Sequence, residues 1–126
     1  MSLQKRTGFT IVELLVVIAV IGILASITIV GYGAWRKSAI ATQVKSDLSS
    51  VITAMENERN FNSGYPSPTT IPSTVTASKN VTLTPYPGGT ATSYCIDGSS
   101  SDDPTVLYYV KSTTKDKGAI EGTCAD

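Results

Sequence analysis

Histidine is absent from the chain, and cysteine occurs only at Cys95 and Cys124. Without histidine, the commonest general acid–base and metal-ligating side chain is missing. Two cysteines alone make a poor zinc site, because four soft ligands are the norm. Spaced some 30 residues apart behind an apolar segment, they read better as one disulfide than as two free thiols, which would place that part of the chain in an oxidising compartment. Excess charge of either sign is also lacking: ten Lys and Arg balance ten Asp and Glu. No broad attraction to nucleic acid or to an anionic surface follows from such a balance, and strong direct nucleic-acid binding is not expected. No nucleophile–base pair and no phosphate-cradling glycine motif occurs, so the chain reads as a non-enzyme.

Proline is absent between Phe9 and Phe61, whereas long apolar runs are absent after residue 60. The first absence permits one uninterrupted helix of about 50 residues. The second means that the C-terminal half cannot bury a large core alone, so a covalent staple would help it.

What is present is concentrated near the start, in MSLQKRTGFTIVELLVVIAVIGILASI. From Leu14 to Trp35 there are 22 residues without a charge. At 1.5 Å per residue they make roughly 33 Å of helix, enough to cross a hydrocarbon layer of about 30 Å. Glu13 stands at the edge of this run, although an ionised carboxylate in hydrocarbon costs a few kcal/mol. A secretory signal peptide is a poor match, because the apolar run is too long and Glu13 interrupts it. A plain signal anchor accounts for the run but not for Gly8, Phe9 and Glu13. Flanking charges do not orient the span, since Lys5 and Arg6 at one end face Arg36 and Lys37 at the other.

Gly8, Phe9 and Glu13 in this register, followed by LLVVIAVIGILASI, resemble the class III signal of type IV pilins and pseudopilins. The resemblance is close over about the first 35 residues and covers the general layout of the remainder. It implies a leader, residues 1–8, removed by a prepilin peptidase between Gly8 and Phe9. It further implies N-methylation of the new Phe9 amine and polymerisation into a filament by the inner-membrane assembly machinery. In that filament Glu13 would meet the Phe9 amine of a neighbouring subunit. The subunit would reside in the cytoplasmic membrane before assembly and on the cell surface afterwards. Other outcomes stay open: a type II secretion pseudopilin forming a short periplasmic piston, a competence pilin, or a non-polymerising signal-anchored surface protein. Many type IV pilins carry a proline about 22 residues after the cut; this chain has Val30 there, and Gly22, Gly31 and Gly33 are alternative weak points.

Residues 9–35 are thus expected to form the membrane and filament-core helix, and residues 36–61 an amphipathic continuation. Ile40, Val44, Leu48, Val51, Ile52 and Met55 recur at helical spacing, with Lys37, Lys45, Asp47 and Glu56 elsewhere as a solvated face. Residues 62–126 read as a connector loop and a β-sheet head, giving an α+β, pilin-like fold. The connector NSGYPSPTTIPSTVTAS carries Pro66, Pro68 and Pro72, which exclude helix. Strands are expected near Asn80–Thr84, Thr92–Ile96 and Thr105–Ser112, in a three- or four-stranded antiparallel sheet, with turns at PYPGGT and DGSSSDDP. Of Tyr108 and Tyr109, one is expected in the core and the other on the surface. A Cys95–Cys124 bond would resemble the C-terminal disulfide loop of many pilins. Asp97, Asp102 and Asp103 are weak calcium candidates, in a position similar to the calcium loop of major pseudopilins; a solvated turn is the competing reading. Asn80-Val81-Thr82 is a glycosylation sequon.

Overall fold

In the computed structural model, residues 2, 4–67 and 69–125 are described. Met1 and Leu3 of the expected leader, Pro68 of the connector and Asp126 lie outside them. The chain divides into two units, Met1–Arg36 and Lys37–Asp126. One helix, α1, Ile11–Asn62, supplies residues to both.

In the first unit the helix begins at Ile11, two residues later than Phe9. It stays helical through Gly22, Gly31 and Gly33, so the absence of proline is not replaced by a break at glycine. The apolar side chains of this unit are exposed, among them Leu14, Ile18, Ile21, Leu24 and Ile29. Two hydroxyls of the apolar run are turned back on their own helix: Ser26 Oγ donates to the Ile23 carbonyl at 2.7 Å, and Thr28 Oγ1 donates to the Ala25 carbonyl at 2.9 Å. This back-bonding removes unpaired donors from the helix surface.

In the second unit the stripe predicted from the sequence is the one that is buried. Val44, Leu48, Val51 and Met55 are fully enclosed, with Ile40 and Ile52 partly so. Each fully buried aliphatic side chain contributes about 1.5–3 kcal/mol over the exposed state. Their partners come from a four-stranded antiparallel sheet in the order β1 (Val81–Pro85), β2 (Cys95–Ser100), β3 (Leu107–Lys111) and β4 (Ile120–Glu121). Val81, Ile96 and Val110 point into the core, joined by Tyr65, Tyr94 and Val106 from the connections. The fold is therefore α+β, with the long helix and small sheet expected of it.

Three expectations need correction. β2 runs through Asp97-Gly98-Ser99-Ser100, which the composition marked as a turn. Side chains there alternate between half-buried and buried positions, and the inward ones at Gly98 and Ser100 are small. A Cβ added to Gly98 would stand 3.0 Å from both Val44 Cγ1 and Leu48 Cδ1, so the helix packs against the strand too closely to admit a side chain there without a shift. Second, the charged residues of the helix are not all solvated. Asp47 is buried, and it accepts from Ser78 N at 2.8 Å and from Ser78 Oγ at 2.9 Å. Third, Tyr108 and Tyr109 are both half-buried: Tyr108 packs at the core edge under Lys45, and Tyr109 lies under Lys111.

Candidate functional site

Residues 4–10 precede the helix without regular structure, and Gly8 and Phe9 are both exposed, Phe9 at 93%. A Cβ added at Gly8 would meet nothing within 4 Å. The Gly8–Phe9 peptide bond therefore lies in accessible chain immediately before the helix.

Glu13 is exposed in the first turn of α1, and its carboxylate folds back on Thr10. Its Oε2 accepts from Thr10 N at 2.8 Å and from Thr10 Oγ1 at 3.0 Å, while Glu13 N donates to Thr10 Oγ1 at 3.2 Å. This reciprocal pair is a capping box, which satisfies donors that a helix start leaves unpaired. The helix dipole also favours a carboxylate at this end. Sequence reasoning singled out Glu13 and passed over Thr10, although the T-x-x-E spacing of Thr10-Ile11-Val12-Glu13 is itself the signal.

The opposite end of the chain is stapled to the sheet. Cys95 of β2 is bonded to Cys124, with 5.9 Å between their Cα atoms. Asp97, two residues along the same strand, accepts from Cys124 N at 2.6 Å. The three aspartates considered for calcium thus have separate partners. Asp102 accepts from Asn80 Nδ2 at 3.1 Å, and Asp103 accepts from Thr105 N at 3.0 Å. Among the described residues no group of three or more His, Cys, Asp or Glu converges. Asn80 of the sequon is exposed in left-handed backbone, with a φ of 67°.

A polar cluster closes the helix end of the head. Glu56 accepts from Lys115 Nζ at 2.8 Å and from Tyr65 Oη, with Arg59 at 3.6 Å. Burial pushes the Tyr65 phenol up, aided by its hydrogen bond to Glu56.

The prokaryotic N-terminal methylation motif matches residues 3–29, which contain Gly8, Phe9, Thr10 and Glu13. A fimbrial protein of Pseudomonas aeruginosa is 38% identical over 55 residues, 44% of this chain and 36% of that protein. The type IV major fimbrial protein FimA of Dichelobacter nodosus is 44% identical over 55 residues, 44% of this chain and 34% of FimA. The type II secretion system core protein G of Klebsiella pneumoniae is 34% identical over 64 residues, 51% of this chain and 46% of that protein. In each case the match spans less than half of the relative's own length. No solved structure matches the chain. The methylation motif and these relatives make the N-terminal part of the chain, with the long apolar helix that follows the motif, similar to type IV pilins and pseudopilins.

Proposed function

We propose that the chain is a prepilin, cleaved after Gly8, N-methylated at Phe9 and polymerised into a type IV pilus or pilus-like filament. The observation that carries this reading is the methylation motif laid over an exposed Gly8–Phe9 bond and an apolar helix whose side chains are exposed among the described residues of its unit. On this reading residues 1–8 are the leader, and residues 9–35 reside in the inner membrane before they enter the filament core. Residues 36–61 carry the head formed by residues 62–126.

Cleavage frees an α-amino group, which is cationic near neutral pH. Glu13 lies four residues along, and in the filament its carboxylate pairs with the Phe9 amine of a neighbour. A slipped register would leave both charges buried and unpaired, so the pair selects one packing of helix on helix. The partners are then other copies of this chain, the prepilin peptidase and the membrane assembly machinery. Intact mass and N-terminal peptide mapping on protein from the native cell test the proposal. A mature chain starting at methylated Phe9 is the expected result; a chain that retains MSLQKRTG, or starts beyond Ala25, overturns it.

The second reading is a pseudopilin of a type II secretion system. It is favoured by the match to the Klebsiella core protein G, which extends over more of this chain than the fimbrial matches do. Imaging sheared surface filaments and identifying this chain in them separates the two, since a pseudopilin would be retained in the envelope.

A further inference from the structure

The apolar half of α1 ends in two features that the filament reading leaves unused. Tyr32 and Trp35 lie one turn apart with ring centroids 6.1 Å from each other, and they are 61% and 67% exposed. Arg36 and Lys37 follow at once. Amphipathic rings suit the headgroup level of a bilayer, where the ring body is apolar and the N–H or O–H is wet. Long cationic side chains reach lipid phosphates from the same level.

We propose that the Tyr32–Trp35 pair, with Arg36 and Lys37, docks at the lipid headgroup boundary and fixes the depth of the unassembled subunit. This rests on the membrane stage of the function proposed above. Length supports it. From Glu13 to Trp35 is roughly 33 Å of helix, against a hydrocarbon thickness of about 30 Å. With the aromatic pair at one boundary, the Thr10–Glu13 capping box falls at the other, where its carboxylate keeps access to water. The segment between holds no charge, and the Ser26 and Thr28 hydroxyls donate to their own backbone. One placement therefore puts every polar group of this segment at a boundary or satisfies it internally.

Trp35 is the chain's single tryptophan, so its emission reports one depth. The full chain, reconstituted in vesicles of phosphatidylcholine and phosphatidylglycerol, is compared with lipids brominated near the headgroup, at mid-chain or near the chain end. Quenching of Trp35 should be strongest with the shallow bromines and weakest with the deep ones. An Ile29→Trp, Trp35→Leu double variant moves the probe six residues, about 9 Å, toward the span's centre. Its quenching should shift to the deeper bromines. Equal, shallow quenching in both proteins would mean a helix lying on the surface and would overturn the proposal. So would strongest quenching of Trp35 by deep bromines, or weak quenching at every depth because another copy covers the rings. Flotation of the same vesicles keeps the two claims apart: co-flotation with the wrong depth profile defeats only the anchor, whereas failure to co-float defeats the membrane stage itself.

Discussion

Asp47 and Glu56 are acidic residues of α1 held by groups distant in sequence, and their environments differ. The Asp47 carboxylate is buried with two donors from Ser78, so it ties the end of the connector to the middle of the helix. Hydrogen bonds to a charged group contribute about 1.5–3 kcal/mol each. Asp47→Ala should therefore destabilise the head by about 3–6 kcal/mol, and Asp47→Asn, which keeps one acceptor, by less. Urea melts of the full chain in detergent check this, and an unchanged midpoint for Asp47→Ala would show that the bonds are not worth their desolvation.

Glu56 is more open. Burial acts to raise its pKa, but the hydrogen bonds from Lys115 and Tyr65 and the charges of Lys115 and Arg59 outweigh it, so the carboxyl titrates below its ordinary value. A depressed carboxyl contributes stability above its unfolded pKa and loses that stability as pH falls through the folded value. The native head should thus lose stability between about pH 5 and pH 3, and Glu56→Gln should flatten that slope. Melts at several pH values read the slopes directly; parallel slopes would deny Glu56 the role.

At the level of elements, the helix and its stripe were legible because burial follows period 3.6 in Val44, Leu48, Val51 and Met55. The N-terminal methylation motif was legible too, since it depends on local spacing alone. β2 was not. Its residues Asp97, Gly98, Ser99 and Ser100 favour turns, and only contact with Val44 and Leu48 explains why small residues suit a central strand. Asp47 was misread for a related reason, because its donor lies 31 residues away. Packing of this kind leaves no trace in a local window. Gly98 then makes a sharp test. Gly98→Ala must displace Val44 or Leu48 by a few tenths of an ångström, partly offset by relief of glycine's unfolded-state entropy, for a net loss of about 1 kcal/mol. Gly98→Val should cost about 3 kcal/mol, as overpacking a tight core does. The helix end offers the opposite sign. Ser63, just past Asn62, holds a φ of 60°, a left-handed conformation that glycine adopts without strain. Ser63→Gly should raise stability by about 1 kcal/mol, measured as a rise in the melting midpoint; a fall would mean that the serine side chain contributes more than its backbone costs.

At the scale of the whole molecule, the proposed filament gives Glu13 the role of linking fold to assembly, and its capping contacts with Thr10 change how that role must be tested. Its carboxylate already closes a capping box with Thr10, so it has a partner before any neighbour arrives. Glu13→Leu removes two things at once, the cap and the charge. Loss of the cap costs about 1 kcal/mol of helix stability, and loss of one side of a buried pair costs about 3–5 kcal/mol in the filament. Glu13→Gln separates them, because glutamine also serves in a capping box yet carries no charge. If charge pairing with the Phe9 amine drives assembly, both variants should insert and be cleaved at Gly8, and both should lose most filaments. Thr10→Val gives the converse case: the cap is lost, the charge remains, and assembly should persist with a modestly weakened helix start. Each variant, expressed as the sole copy, is read by comparing sheared filaments with the membrane pool on immunoblots. Abundant filaments from Glu13→Gln together with few from Thr10→Val would reverse the assignment, making Glu13 a helix cap and leaving the Phe9 amine to find another counter-ion.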